Sequence, residues 1–441
     1  MPSIQLLVAS RSLRRLAGCL CALAVLGVSA SGQTAGGWTH KPVPTKIDKQ
    51  ILVFPDAVVV EQWPHTLKLV NPPQSLKLLN PGQCIRIGIV AIGDDRDSLL
   101  EKTQLSFRVA FAGQAQDHAL APFAGTKRIK PEGLDEVMQV TAAAHVEVPP
   151  ISMVSMGASA DRWCVPEDAQ DGTATIDAEI ESPAGHQKQS RTKILIESFE
   201  TGGKHDFKDD QDLEDSFEKY YRQPNPARLI VLLRYFASDA KMMSTPGTGE
   251  STIAFLAAAL KANPIAAKDF MTRVSTEKGL TRAIGLIALR RAGYDIAGVL
   301  EKLSSQERTQ IENLPRLPDP SDLTPDADSA TRLDMSWGEF SATGALAPLE
   351  NVTRRLAWRS DYDIFDKMRK IPNHAIEWTP VVARATTYSA AGWALGSFQR
   401  TDPLAADYIE FLIASPDTPE VVKTELRELQ TNPAFKWQDK K

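Results

Sequence analysis

Lys193-Ile194-Leu195-Ile196-Glu197-Ser198-Phe199-Glu200-Thr201-Gly202-Gly203-Lys204-His205-Asp206 is the stretch on which the fold turns. Its first half is a run of β-branched and apolar residues of strand length, and the glycine pair at 202 and 203 interrupts it. Lys204 to Asp215 is then strongly charged, and from Ser216 onward apolar residues recur at helical spacing. The pattern places a boundary near residues 200–215, with β-structure before it and helices after it.

Upstream, from about Ile51, the periodicity is that of strands. Leu105, Phe107, Val109 and Phe111 alternate with Ser106, Arg108 and Ala110, and Ile176, Ala178 and Ile180 alternate with Asp177 and Glu179. Ala57–Glu61, Thr66–Val70, Cys84–Ile92 and Lys193–Phe199 read as strands covered on both faces. Turn signals separate them at Asn71-Pro72-Pro73, Asn80-Pro81-Gly82, Gly93-Asp94-Asp95 and Pro183-Ala184-Gly185. Gln114 to Met156 is less regular and reads as an excursion with a short helix near Leu134–Met138. The expected fold class is multidomain α+β: an N-terminal antiparallel β-sandwich over residues 38–200, a charged linker over 201–215 and an all-α, helical-repeat-like domain over 216–441. The sandwich is immunoglobulin-like only loosely, because Trp163 adjoins Cys164 and no tyrosine lies two residues before it.

Downstream, helix starts are signalled by Asp402-Pro403 and by Asp417 or Thr418 before Pro419-Glu420, and stops by Asn263-Pro264, Gly344 and Asn432-Pro433. A Pro- and Asp-rich loop over 314–328 interrupts the helices. No exact period links them.

The N-terminus reads as an export signal. Arg11, Arg14 and Arg15 precede an uncharged run from Leu16 to Val28, and Val28-Ser29-Ala30 offers small residues to a signal peptidase, so cleavage is expected near Ala30. The apolar run falls short of the roughly 20 residues needed to span a bilayer. Leu16-Ala17-Gly18-Cys19 spells a lipoprotein box on the wrong side of that run, so lipidation is not expected. Loss of residues 1–30 takes away three arginines and no acid, moving the formal charge from −5 to −8. Such an acidic chain is not built to hold nucleic acid, and no membrane insertion is expected after cleavage. Cys19 and Cys21 leave with the signal. Cys84 and Cys164 remain and are expected to pair, and closing a loop of that length stabilises a fold by about 4 kcal/mol.

No chemistry-bearing motif is complete. Pro246-Gly247-Thr248-Gly249-Glu250-Ser251-Thr252 resembles the end of a phosphate loop, but Glu250 stands where a lysine would neutralise phosphate. His205, Asp206, Asp209, Asp210, Asp212 and Asp215 lack the glycine of a calcium loop and read as a solvated linker leading into an acidic helix start. No Gly-x-Ser-x-Gly or His-Glu-x-x-His occurs, and no cofactor or metal is expected. Trp337, Trp358, Trp378 and Trp393 could line a sugar groove, but fill a helical core more simply.

Leu333-Asp334-Met335-Ser336-Trp337-Gly338-Glu339-Phe340-Ser341-Ala342-Thr343-Gly344 resembles a helix-turn segment of uncharacterised exported bacterial proteins with tetratricopeptide-like helices. That resemblance implies a scaffold and no known reaction. Physically, Leu333, Trp337 and Phe340 share one helix face and Gly344 ends the helix; packing accounts equally for Tyr388, Trp393 and Leu395. The expectation is a periplasmic or secreted, non-enzymatic protein of the bacterial envelope that binds a protein or peptide through its helices. The alternative is an envelope carbohydrate-active hydrolase with carboxylates dispersed over the helical domain.

Overall fold

The computed structural model describes residues 48–55, 76–93, 104–120, 153–182, 185–239, 247–312, 317–371 and 379–431. The export signal, the expected strands at 57–61 and 66–70, the short helix at 134–138, Trp378 and the stop at 432–433 lie outside these residues.

The front half holds two sheets. In one, β1 (Asp48–Pro55), β3 (Cys84–Gly93) and β6 (Met153–Cys164) run antiparallel in the order β1-β3-β6. In the other, β2 (Leu78–Leu79), β4 (Gln104–Phe111), β5 (Gln114–Leu120), β7 (Gly172–Ser182) and β8 (Gly185–Ile196) take the order β2-β8-β7-β4-β5. The second sheet is mixed, because β2 runs parallel to β8. On β8, Ile194 and Ile196 are fully buried while Leu195 between them is 48% exposed, the alternation of a sheet with one covered face. Ala174 and Ile176 of β7 and Val109 of β4 are buried likewise.

Cys84 and Cys164 form a disulfide. They face each other directly in the β3–β6 register with Cα atoms 4.0 Å apart, so the bond staples neighbouring strands of one sheet. β5 departs from the irregular excursion expected after Gln114. Gln-Ala-Gln-Asp-His-Ala-Leu is a poor strand former by itself, but Ala112 and Gly113, both with positive φ, turn it back onto β4 as a hairpin.

Lys193–Phe199 is also shorter as a strand than its composition suggests. β8 ends at Ile196, Ser198 accepts from Thr201 N, and a single helical turn runs Phe199–Gly202. The first long helix, α1 (Asp210–Glu218), starts inside the charged segment expected to be linker, because the Asp209 side chain caps it by accepting from Asp212 N at 2.8 Å.

The two halves meet at residues 76–83. The buried Asn80 side chain donates to Glu197 O at 2.7 Å and accepts from Ala227 N, Gln83 donates to Pro224 O, and Asn263 donates to Pro81 O. Gly82, with φ +74°, closes this turn; a methyl there would lie 2.7 Å from Ile265 Cγ1.

The back half is helical. α2 (Leu229–Ser238), α3 (Thr248–Lys261), α4 (Pro264–Thr276), α5 (Gly279–Arg291) and α6 (Ser305–Glu312) share a core built around Leu233, Phe255, Leu256, Phe270 and Leu286. Asn263 ends α3 as expected and also caps α4, accepting from Ile265 N and Ala266 N. A second core joins α7 (Ser329–Thr343), α8 (Leu346–Arg354), α10 (Pro380–Thr401), α11 (Pro403–Ala414) and α12 (Glu420–Thr431), with α9 (Arg359–Met368) laid against α10. α10, the longest, touches α7, α8, α9, α11 and α12. The two cores are joined by the packing of α3 against α7, a contact between helices far apart in sequence. No described helix is long and apolar enough to cross a membrane.

Candidate functional site

The two segments singled out in the sequence, Gly247–Thr252 and Leu333–Gly344, are brought together by the α3–α7 contact. Gly247, with φ +86°, precedes α3, and Gly338 lies in the middle of α7. A methyl on Gly338 would overlap the Ser251 carbonyl oxygen and sit 3.2 Å from Phe255 N, so the glycine lets the two backbones approach. One turn earlier on α7, the Asp334 carboxylate fills the space that a side chain on Gly247 would take.

This places Asp334 at the start of α3 together with Glu250. Burial first, and the Glu250 charge second, push the Asp334 carboxyl up to about 7. The positive end of α3 acts in the opposite direction, but a helix terminus contributes only about 0.3–1 kcal/mol, and burial prevails. Thr248 and Thr252 of the same turns are buried, and their hydroxyls have no partner among the described residues. A buried carboxyl raised into the neutral range beside a second carboxyl is an arrangement that suits general acid–base chemistry, and here it is assembled from sequence-distant residues. Glu250, read as the reason no phosphate binds, thus has a second role: its charge helps keep a neighbouring carboxyl protonated.

The remaining residues of the Leu333–Gly344 segment pack. Leu333, Trp337 and Phe340 are buried in the second core, with Trp337 stacked on Phe398 at 4.2 Å and edge-on to Phe340. Gly344 ends α7 with φ +63°, its Cα held against the Tyr221 ring, and its carbonyl accepts from Tyr408 O–H at 2.9 Å. Leu395 is buried and Tyr388 is packed against the same core, but Trp393 is 38% exposed and does not fill it. Trp393 lies only two residues from Leu395, and successive helix positions turn by about 100°, which carries it to the open side.

The acidic segment is used locally. Asp212 takes both Nη atoms of Arg228 at 3.0 Å, Arg228 also donates to Asp206 O, and its guanidinium lies 4.5 Å over the Phe207 ring. His205 meets Glu197 at 3.2 Å. Among the described residues no group of three or more His, Cys, Asp or Glu side chains is arranged to hold a metal.

Four polar centres were not legible as such. Asp402, 1% exposed, accepts from Tyr221 O–H at 2.7 and 2.9 Å, from Arg222 Nη2 at 2.9 Å and from Leu404 N at 2.9 Å, so a helix cap is also the knot between α11 and the segment before α2. Arg332 grips the Pro- and Asp-rich loop through Asp326, Asp322 and Thr324 O. Arg355, also 1% exposed, donates to Pro320 O and Asn351 O, and burial lowers its guanidinium to about 10. On α10, Tyr388 donates to the buried Glu425 of α12, which Arg359 of α9 also contacts. Compared with known proteins, the chain matches no family model and no curated sequence.

Proposed function

We propose that the chain is an exported, non-enzymatic scaffold of the bacterial envelope that binds a protein or peptide through its helical half. The observation that carries this reading is where the converging polar side chains go: Asp402, Arg332, Arg355, Glu425 and Asn80 each tie one element of the chain to another, which builds a rigid support. The leader-like N-terminus and the Cys84–Cys164 disulfide suit a compartment outside the cytoplasm. In this reading the two sheets stack as a sandwich, consistent with the contacts of β5 with β6 and of β1 with β8. Partner contact falls to exposed apolar side chains of the second core's helices, among them Ile364, Trp393 and Val421. The resemblance of Leu333–Gly344 to tetratricopeptide-like exported proteins points the same way. Pull-down from envelope extract with the full chain tests the reading. Specific recovery of one partner, lost on Trp393→Ser, supports it, and recovery of none sinks it.

A second reading is favoured by one observation, the Asp334–Glu250 pair. A carboxyl held near neutral pH beside a second one suits the general acid of a glycoside hydrolase. Release of reducing sugar from envelope polysaccharide, abolished by Asp334→Asn with folding retained, would favour this reading over the scaffold.

A further inference from the structure

Tight backbone packing makes up the middle of the α3–α7 contact, but an acid makes up one end of it. Thr248, Ser251 and Phe255 share one face of α3, and Gly338 of α7 lets that face in until the Ser251 carbonyl and Phe255 N lie against it. One turn before Gly338, the Asp334 carboxyl fills the space beside Gly247. Protonated, it is a neutral filler. Ionised, it would be a largely enclosed charge beside the Glu250 carboxylate, with no ion pair among the described residues. The other charged groups on the elements around α7 are engaged elsewhere: Glu218 faces Glu214 on α1, Arg291 of α5 pairs with Glu339 at 3.1 Å with Lys261 of α3 nearby, and Arg332 of α7 itself is held by Asp322 and Asp326. Among the described residues, Glu250 is the charged group that faces Asp334.

The two ends of α7 are fastened differently. At the C-terminal end, Tyr221 packs against Gly344 and Phe340 and donates to Asp402, and the Arg291–Glu339 pair adds a second tie to the first core. At the N-terminal end, Arg332 binds the loop that leads into its own helix, so the tie across to α3 falls to Asp334. That asymmetry makes the Tyr221 end a pivot and the Asp334 end the one free to part.

We propose that the α3–α7 contact is a proton-controlled hinge between the two helical cores, closed while Asp334 is protonated and opened at the Asp334 end by its ionisation. The hinge rests on neither the scaffold nor the hydrolase reading. Opening returns Asp334 to water, where it ionises near pH 4, whereas in the closed joint it ionises at about 7. Between those values each pH unit raises the open-to-closed ratio about tenfold, about a thousandfold in all, and above about pH 7 the ratio levels off because the closed form has lost its proton too.

The test uses the full chain carrying Thr248→Cys, a position 6% exposed whose hydroxyl has no partner among the described residues. The rate of labelling by N-ethylmaleimide, located by peptide mass, is divided at each pH by that of a cysteine tripeptide. The normalised rate should climb about tenfold per unit from pH 5 to 7 and then flatten. Adding Asp334→Asn should hold it at its acid value throughout, and adding Glu250→Gln should move the flattening to lower pH. Ala288→Cys, placed in the first core, should stay unlabelled. A rate independent of pH, a slope that survives Asp334→Asn, or Ala288→Cys labelled in step with Thr248→Cys, the mark of global unfolding, would each overturn the hinge. If Asp334→Asn does not fold, shown by labelling of Ala288→Cys at pH 5 in that background, the Glu250→Gln chain decides, and a flattening point that stays in place overturns the proposal.

Discussion

Replacing Asp402 by alanine tests whether the helical half is knotted as described. The carboxylate has two protein groups besides its own helix to satisfy: Tyr221 O–H, which is buried, and Arg222, whose side chain is about a quarter exposed. It also caps α11 through Leu404 N and, at 3.4 Å, Ala405 N. Losing the cap costs about 1 kcal/mol. Leaving the buried Tyr221 hydroxyl without an acceptor costs about 1–3 kcal/mol, and Arg222 adds less because water reaches it. The sum for Asp402→Ala is about 2–5 kcal/mol, overlapping the range for breaking a buried pair from one side. Asp402→Asn keeps an oxygen for the cap and for Tyr221 and should cost about 1–2 kcal/mol. Urea unfolding followed in parallel by far-UV circular dichroism and tryptophan fluorescence measures both, since coincident curves are needed before a single free energy is assigned. A loss under about 1 kcal/mol for alanine, or an asparagine variant as damaged as the alanine one, would refute this account of the knot. So would simple additivity of Tyr221→Phe with Asp402→Ala, because groups in one network couple by 0.5 kcal/mol or more.

Gly338→Ala should lower stability by about 1–3 kcal/mol by forcing α3 and α7 apart, while Gly298→Ala, which meets nothing within 4 Å, should be neutral; thermal melts that rank them otherwise would contradict the close approach. Asp334 is protonated in the folded state up to about pH 7 but ionises near pH 4 when unfolded, so its contribution is complete at low pH and is lost between about pH 4 and 7. That loss is on the order of 4 kcal/mol, and Asp334→Asn should remove the slope from the stability–pH curve over this window. Glu218, pushed up to about 7 by burial and by Glu214, should leave a second slope of the same sign that Glu218→Gln removes. Reducing the Cys84–Cys164 bond, whose loop spans 80 residues, should destabilise the β half by about 4 kcal/mol, read as an earlier unfolding transition. Arg355→Met should free residues 317–328 to proteolysis while the wild-type loop resists, because Arg355 and Arg332 hold it by its carbonyls and carboxylates.

The elements that could be read from the sequence are those with strong local codes. The strand-to-helix change expected near residues 200–215, the stops at Gly344 and at Asn263-Pro264 and the cap at Asp402 each follow from one residue and its immediate neighbours. β5 could not, because Gln114–Leu120 becomes a strand only by pairing with β4. Nor could the placement of the disulfide within one sheet, since a separation of 80 residues fixes no register. The helical pattern likewise revealed apolar faces without saying which helices they meet. The α3–α7 contact is set by two glycines, at 247 and 338, and neither carries an apolar face that periodicity could detect.

Two aspartates make the same point for the candidate site. Asp334 and Asp402 each sit at the start of a helix, the usual place for a stabilising carboxylate. Asp402 stands in sequence directly before its helix and was legible as a cap. Asp334 reaches the start of α3 from the middle of α7, across the gap left by Gly247, so no local spacing could reveal it. The consequences differ too. Asp402 gathers donors from Tyr221, Arg222 and its own helix, which suits a fixed structural knot. Asp334 is buried beside another carboxyl, which raises its proton affinity to the neutral range. If a chemical role exists in the helical half, it belongs at this second aspartate, where the proton is exchangeable near pH 7; Asp402→Asn should then alter stability alone, while Asp334→Asn should alter whatever activity the chain carries with little loss of stability at pH 5. Activity lost equally in both variants at equal folded fraction would break that distinction.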